Sequence, residues 1–278
     1  MITTARLMLD GLGFPESTRW HDGRIWVCNW GAGEVLAATT AGERKVRARL
    51  APHTLPFSID WLPDGRLLVI DGPRRLLLGQ EPDGTLSTVA DLTGFGSAPF
   101  NELLVDPTGN AFVNGGPGIV VCVARDGTVR EVADSLKWPN GMALLDDGRT
   151  LLVADSHAQQ LVAFDVQDDA TLARRRVWAD LEYAPDGICA DADGAIWIAT
   201  VPGQCCMRVR EGGEILNIVS ADRGCFACIL GGEDGRTLFV AAAQWRGMEA
   251  AMTDGPGLTG QLLAAPDQPA RSPALRGR

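Results

Sequence analysis

Histidine is scarce in this chain of 278 residues, with only His21, His53 and His157. No Ser-His-Asp arrangement is on offer, which turns the search for chemistry away from a serine nucleophile. Long apolar runs are missing too. Nothing approaches the roughly 18 apolar residues of a membrane-spanning helix. The opening stretch MITTARLMLDGLGFPE has no basic segment leading into an apolar one, so it does not read as a secretory signal. Basic clusters are absent as well. Lys and Arg number 25 against 35 Asp and Glu, a net charge of −10, and the run Arg174-Arg175-Arg176 is short and set between acidic stretches. Nucleic acid and anionic membranes both need basic surface, so neither is an expected partner.

The seven cysteines are odd in number and irregular in spacing. Cys28, Cys122, Cys189 and Cys228 lie in strand-like apolar runs, where a reduced thiol behaves as a small buried hydrophobe. Cys225 and Cys228 form a Cys-x-x-Cys pattern, but residues three apart on a strand point to opposite faces. No second pair completes a zinc site, and Cys205 and Cys206 diverge as neighbours. All seven read as structural, and a cytoplasmic protein is expected.

What the chain has in abundance is glycine at regular intervals. Gly23, Gly65, Gly109, Gly148, Gly194 and Gly235 close short Asp-Gly or Thr-Gly turns, spaced 42, 44, 39, 46 and 41 residues apart. Each turn joins an apolar run to a β-branched or aromatic one, as in Ile59-Asp60-Trp61-Leu62 before Gly65 and Leu67-Leu68-Val69-Ile70 after it. A period near 40–45 residues with four short strands per repeat predicts an all-β, six-bladed β-propeller. The expectation is one domain over residues 1–265. Residues 5–9 and Gln261-Leu262-Leu263-Ala264 would close the ring in a shared blade, and 266–278 would form a loose tail.

Counting back from each turn glycine reaches one equivalent position per blade. Asn101, Asn140 and Asp186 lie eight residues before their glycines, and Glu16 lies seven before Gly23, in a hairpin one residue shorter. Phe57 and Ala227 hold the other two places. The start of every inner strand faces one mouth of the central channel, so these four oxygen-bearing side chains would converge there. Buried carboxylates need a partner, and no Lys, Arg or His stands in that ring. A divalent cation would resolve this, and hard oxygen ligands favour Ca²⁺ first, with Mg²⁺, Mn²⁺ or Zn²⁺ as alternatives. Loops after the second strands return beside the same mouth. They place Trp30, His157 and Trp245 as candidate pocket walls, which would suit a ligand less polar than an aldonolactone.

The stretches Gly13-Phe14-Pro15-Glu16, Phe100-Asn101-Glu102, Trp138-Pro139-Asn140-Gly141 and Ala184-Pro185-Asp186-Gly187 resemble the SMP-30/gluconolactonase/luciferin-regenerating-enzyme family. The likeness extends over roughly residues 10–265. It implies a metal-dependent lactonase with Glu16, Asn140 and Asp186 as metal ligands, and Asn101 on metal or substrate. Glu102, Trp30, His157 and Trp245 complete the expected substrate surroundings. Pro99 departs from the pattern, because sugar-lactone members often carry Arg there. Asp186 is the expected general base, with His157 as the alternative. Two rival readings keep the site: hydrolysis of a phosphoester or organophosphate, and a non-catalytic Ca²⁺-binding propeller. The expected partner is a small-molecule lactone.

Overall fold

The computed structural model describes residues 2–51, 54–116, 118–247 and 257–273; His53 lies outside them. Six antiparallel sheets of four strands follow one another along the chain, one of them extended by a fifth strand. Their innermost strands begin at Pro15, Phe57, Phe100, Pro139, Ile188 and Gly224. Each inner strand packs against the next, and the last returns to the first, so the ring is closed. The blades are numbered 1–6 in that order.

The six glycine turns are hairpins between the first and second strands, and all six glycines have positive φ. In blade 1 His21 pairs with Arg24 across the two-residue turn Asp22-Gly23. In blade 2 Leu62 and Arg66 bracket a three-residue turn, with the Gly65 N–H donating to the Leu62 carbonyl at 2.9 Å. Blade 1 is therefore one residue shorter, as the count from the sequence required.

Strands from both ends of the chain complete blade 6. Arg6–Leu12 pairs antiparallel with Gly260–Ala265, placing Arg6 opposite Ala264 and Leu7 opposite Leu263, as the outer edge of blade 6. A further strand, Ile2–Thr4, pairs in parallel with Ile215–Ser220 as a fifth strand of blade 5. Residues 266–273, expected as part of a loose tail, are tied to the turns opposite the ring. Gln268 and Ala270 are buried, the Ala192 N–H donates to the Arg271 carbonyl at 2.9 Å, and the Ser272 N–H donates to Gly235 at 2.8 Å.

Hydrophobic clusters fill the spaces between adjacent blades. Phe57, Ile59 and Val69 meet Cys28 and Val35 between blades 1 and 2, and Trp197, Cys206 and Cys228 lie in the cluster joining blades 5 and 6. Here the strand-parity reading of the cysteines fails. A bulge between Cys225 and Ala227 inserts one residue, so Cys225 pairs with Ala242 while Cys228 pairs with Val240. Those partners are two apart, which puts both thiols on one face, inside the same cluster as Cys189 and Cys206. All seven cysteines are nevertheless free and buried.

Candidate functional site

Bulges also decide how the ring of candidate ligands is presented. Register shifts fall between Glu16 and Arg19, between Phe100 and Glu102, and between Pro139 and Met142. Glu16, Asn101 and Asn140 therefore sit at or within bulges, where an extra residue re-aims a side chain away from regular pleating. In blade 2, where the ring position is Phe57, pairing is regular from Phe57 opposite Asp71 onward. Blade 5 reaches the same end differently. Its inner strand starts at Ile188, and Asp186 is held ahead of it by its own N–H donating to the Ala199 carbonyl at 2.9 Å.

The glycines that follow Asn140 and Asp186 have a steric reason. A Cβ on Gly141 would stand 2.6 Å from the Asp186 carbonyl oxygen, and one on Gly187 would stand 2.7 Å from Ala227 Cα. Only glycine lets neighbouring inner strands come this close at the mouth. Strain gathers around Glu16, which lies between Phe14 at φ 65° and Ser17 at φ 49°. Non-glycine residues rarely adopt such angles unless the surroundings impose them.

Contacts link the ring residues across blades. The Asn101 amide donates from Nδ2 to Asn140 Oδ1 at 3.0 Å, and Asn140 Nδ2 reaches Ser156 Oγ at 3.5 Å. Glu16 is 6% exposed, and its Oε2 accepts the Ser17 N–H at 2.9 Å. Burial lifts the Glu16 carboxyl well above the usual carboxylate range, and the nearby Asp186 charge adds to the shift. Burial likewise lifts Asp186, against the Asn140 amide, which favours the charged form. Asp186 Oδ1 is buried with no hydrogen-bond partner among the described residues, and so is Asn114 Oδ1. The Asn114 side chain is part of this site, because its Nδ2 donates to the Asn140 carbonyl at 2.5 Å.

A cation lies beneath this ring. Arg19 points into the channel from blade 1, and its Nη2 donates to Glu102 Oε1 at 2.8 Å. Glu102 Oε1 also accepts from Ser58 Oγ and from the Leu103 N–H. Ser58 Oγ in turn meets Ser17 Oγ at 2.7 Å, beside Glu16. Arg19 was legible only as the third residue after Glu16, a position whose direction depends on the bulge. Glu102 is thus committed to Arg19, Ser58 and backbone rather than presented to a ligand.

Of the expected pocket walls, Trp30 and Trp245 fall together around Phe14, whereas His157 lies on blade 4. Phe14 is the hub, with ring centroids 5.3 Å from Trp30, 4.6 Å from Phe226 and 5.6 Å from Trp245. Trp30 is buried, its Nε1 donating to the Phe57 carbonyl at 2.6 Å, so it supports the wall from behind. His157 is exposed on blade 4, stacked on Trp138 at 5.1 Å.

Among the described residues no group of three His, Cys, Asp or Glu side chains is arranged to hold a metal ion. The candidate set is of a different kind, two carboxylates with amide oxygens. Its orphaned Asp186 oxygen and its two uncompensated carboxyls fit a hard divalent cation. No helix among the described residues is long and apolar enough to cross a membrane.

Comparison with known proteins bears on this arrangement. The family model described as SMP-30/Gluconolactonase/LRE-like region matches residues 49–244. Pentonolactonase XacC of Haloferax volcanii is 29% identical over 154 residues, covering 52% of this chain and 53% of that protein. Diisopropyl-fluorophosphatase of Loligo vulgaris is 26% identical over 162 residues, covering 49% and 52%. The chain thus spans about half the length of these relatives. The crystal structure of a calcium-binding protein, regucalcin, from Agrobacterium tumefaciens superposes with a TM-score of 0.78 at 19% identity, covering 99% of this chain and 98% of that one. At that identity the likeness is one of fold.

Proposed function

This chain belongs to the SMP-30/gluconolactonase/LRE-like family, and we propose that it is a divalent-metal-dependent lactonase, with Ca²⁺ as the first choice of ion. The observation that carries the reading is the unpartnered Oδ1 of Asp186, buried at a channel mouth beside the uncompensated carboxyl of Glu16. Glu16, Asn140 and Asp186 would hold the ion, with Asn101 beside them.

When bound, such an ion supplies charge stabilisation for the developing oxyanion and polarises the ester carbonyl. The chain's own residues do the rest. Asp186 accepts a proton from the attacking water as that oxygen bonds to the carbonyl carbon. When the ring C–O bond breaks, Asp186 returns the proton to the departing oxygen, giving the open hydroxy acid. The Asn101 amide, released from Asn140, orients the substrate. Arg19 holds Glu102 in place, so that Ser58 and Ser17 hold the backbone carrying Glu16.

A second reading, phosphoester or organophosphate hydrolysis at the same site, is favoured by the likeness to a diisopropyl-fluorophosphatase. Assaying chelator-treated protein, resupplied with single divalent ions, on lactones and on phosphotriesters separates the two. The lactonase reading expects ester-ring opening to exceed phosphotriester cleavage. The reverse order would replace it.

A further inference from the structure

Several polar side chains around the mouth are already committed to the protein's own groups. Asn29 Oδ1 accepts the Gly13 N–H at 2.8 Å, and Asp71 Oδ1 accepts the Arg74 N–H at 3.1 Å. Asp155 accepts the N–H groups of Lys137 and Trp138 at 2.9 and 2.8 Å, and Ser156 donates to the Pro185 carbonyl at 2.6 Å. Thr200 Oγ1 accepts the Gly203 N–H at 3.3 Å. Glu102 is taken by Arg19 and Ser58. Pro99, exposed just before Phe100 and Asn101, has no side-chain donor or acceptor, and its carbonyl already accepts the Gly116 N–H at 2.7 Å. Beyond Asn101, the unpartnered Asn114 Oδ1 and the candidate ion ligands, a ring of hydroxyls on a substrate would find few partners here, and unpaired polar groups taken out of water are costly.

What the mouth presents instead is aromatic surface. Trp138 is 46% exposed and Trp245 is 38% exposed, while the other exposed large hydrophobic side chains are aliphatic. Neither tryptophan is loosely placed. Trp245 has Phe14 and Phe226 behind it at 5.6 and 5.7 Å, and Trp138 lies against His157. Trp138 directly precedes the inner strand of blade 4, and Trp245 follows the second strand of blade 6. The two therefore stand at the mouth ends of blades 4 and 6, the neighbours of blade 5. Rigid aromatic rings with one open face bind flat apolar groups at little entropic cost.

We infer that the substrate is a lactone bearing an apolar, preferably flat substituent, and that Trp245 and Trp138 set this specificity. The inference rests on the lactonase reading and goes beyond it by excluding polyhydroxylated sugar lactones as the preferred class.

The test measures kcat/KM for γ-butyrolactone, glucono-δ-lactone and γ-phenyl-γ-butyrolactone with the whole chain and its activating ion. The phenyl lactone is expected to be preferred over both others by at least about tenfold, equivalent to about 1.4 kcal/mol. In Trp245→Ala the ratio of phenyl-substituted to unsubstituted kcat/KM should fall by about that factor, mainly through KM, and Trp245→Phe should restore part of it. Preference for glucono-δ-lactone, or a ratio unmoved by either variant, overturns the inference and leaves the lactonase reading intact. Turnover of none of the three removes the lactonase reading, and the inference with it.

Discussion

Arg19 and Glu102 meet inside the channel at 2.8 Å, one arriving from blade 1 and the other from blade 3. Their side chains are 13% and 8% exposed. The pairing settles which carboxylates at this end of the propeller have a cation in contact. Glu102 has one, whereas Glu16 and Asp186 rely on each other's surroundings and on backbone N–H groups.

Removing one partner of the pair should be severe. Arg19→Met leaves Glu102 buried without its cation, a situation that typically costs about 3–5 kcal/mol. Urea unfolding of Arg19→Met and of Arg19→Met/Glu102→Leu checks this. The double variant should recover part of the loss, and equal stability of single and double variants would contradict the assignment.

The two uncompensated carboxyls predict an unusual pH dependence for metal-free protein. Both are lifted above their ordinary values on folding, so above the usual carboxylate range the folded chain holds protons that the unfolded chain has released. Stability is therefore fullest below that range and falls as pH rises through the lifted values. Asp83, Asp91, Asp126 and Asp169, held below their ordinary values by bonds from the threonines two residues on, act at lower pH and with the opposite sign. Thermal melts of chelated protein between pH 5 and pH 8 should show Tm falling with pH, and Asp186→Asn should flatten the slope.

Gly187 offers a steric test that changes no candidate ligand's side chain. A methyl there would meet Ala227 Cα at 2.7 Å and the Phe226 carbonyl at 2.9 Å, and backbone cannot swing aside. Gly187→Ala should displace Asp186 and weaken Ca²⁺ binding by tenfold or more in calorimetry. Gly84→Ala, at a positive-φ turn with open space, should cost some stability without changing ion affinity.

Much of this molecule was legible in the chain because a propeller repeats. The glycine spacing located all six hairpins, and the ring of Glu16, Asn101, Asn140 and Asp186 followed by counting. Closure by Arg6–Leu12 against Gly260–Ala265 was legible from leftover strands at each end. Simple strand parity fails where the strands bulge. The shift at Cys225 puts two thiols on one face that alternation would separate, and the shift after Glu16 hides the inward aim of Arg19. Glu102 looked available because its partners lie 83 and 44 residues away along the chain. Residues 266–273 looked loose because what holds them is backbone bonding to distant turns, which composition does not encode.

The most direct measurement is proton release from a panel of γ- and δ-lactones by chelator-stripped protein, with Ca²⁺, Mg²⁺, Mn²⁺ or Zn²⁺ restored singly, for the native chain and for Asp186→Asn. Turnover should require the added ion and fall by several decades in kcat when Asp186 loses its basic oxygen. Ion-independent turnover, or near-native activity in Asp186→Asn, would contradict the proposed mechanism.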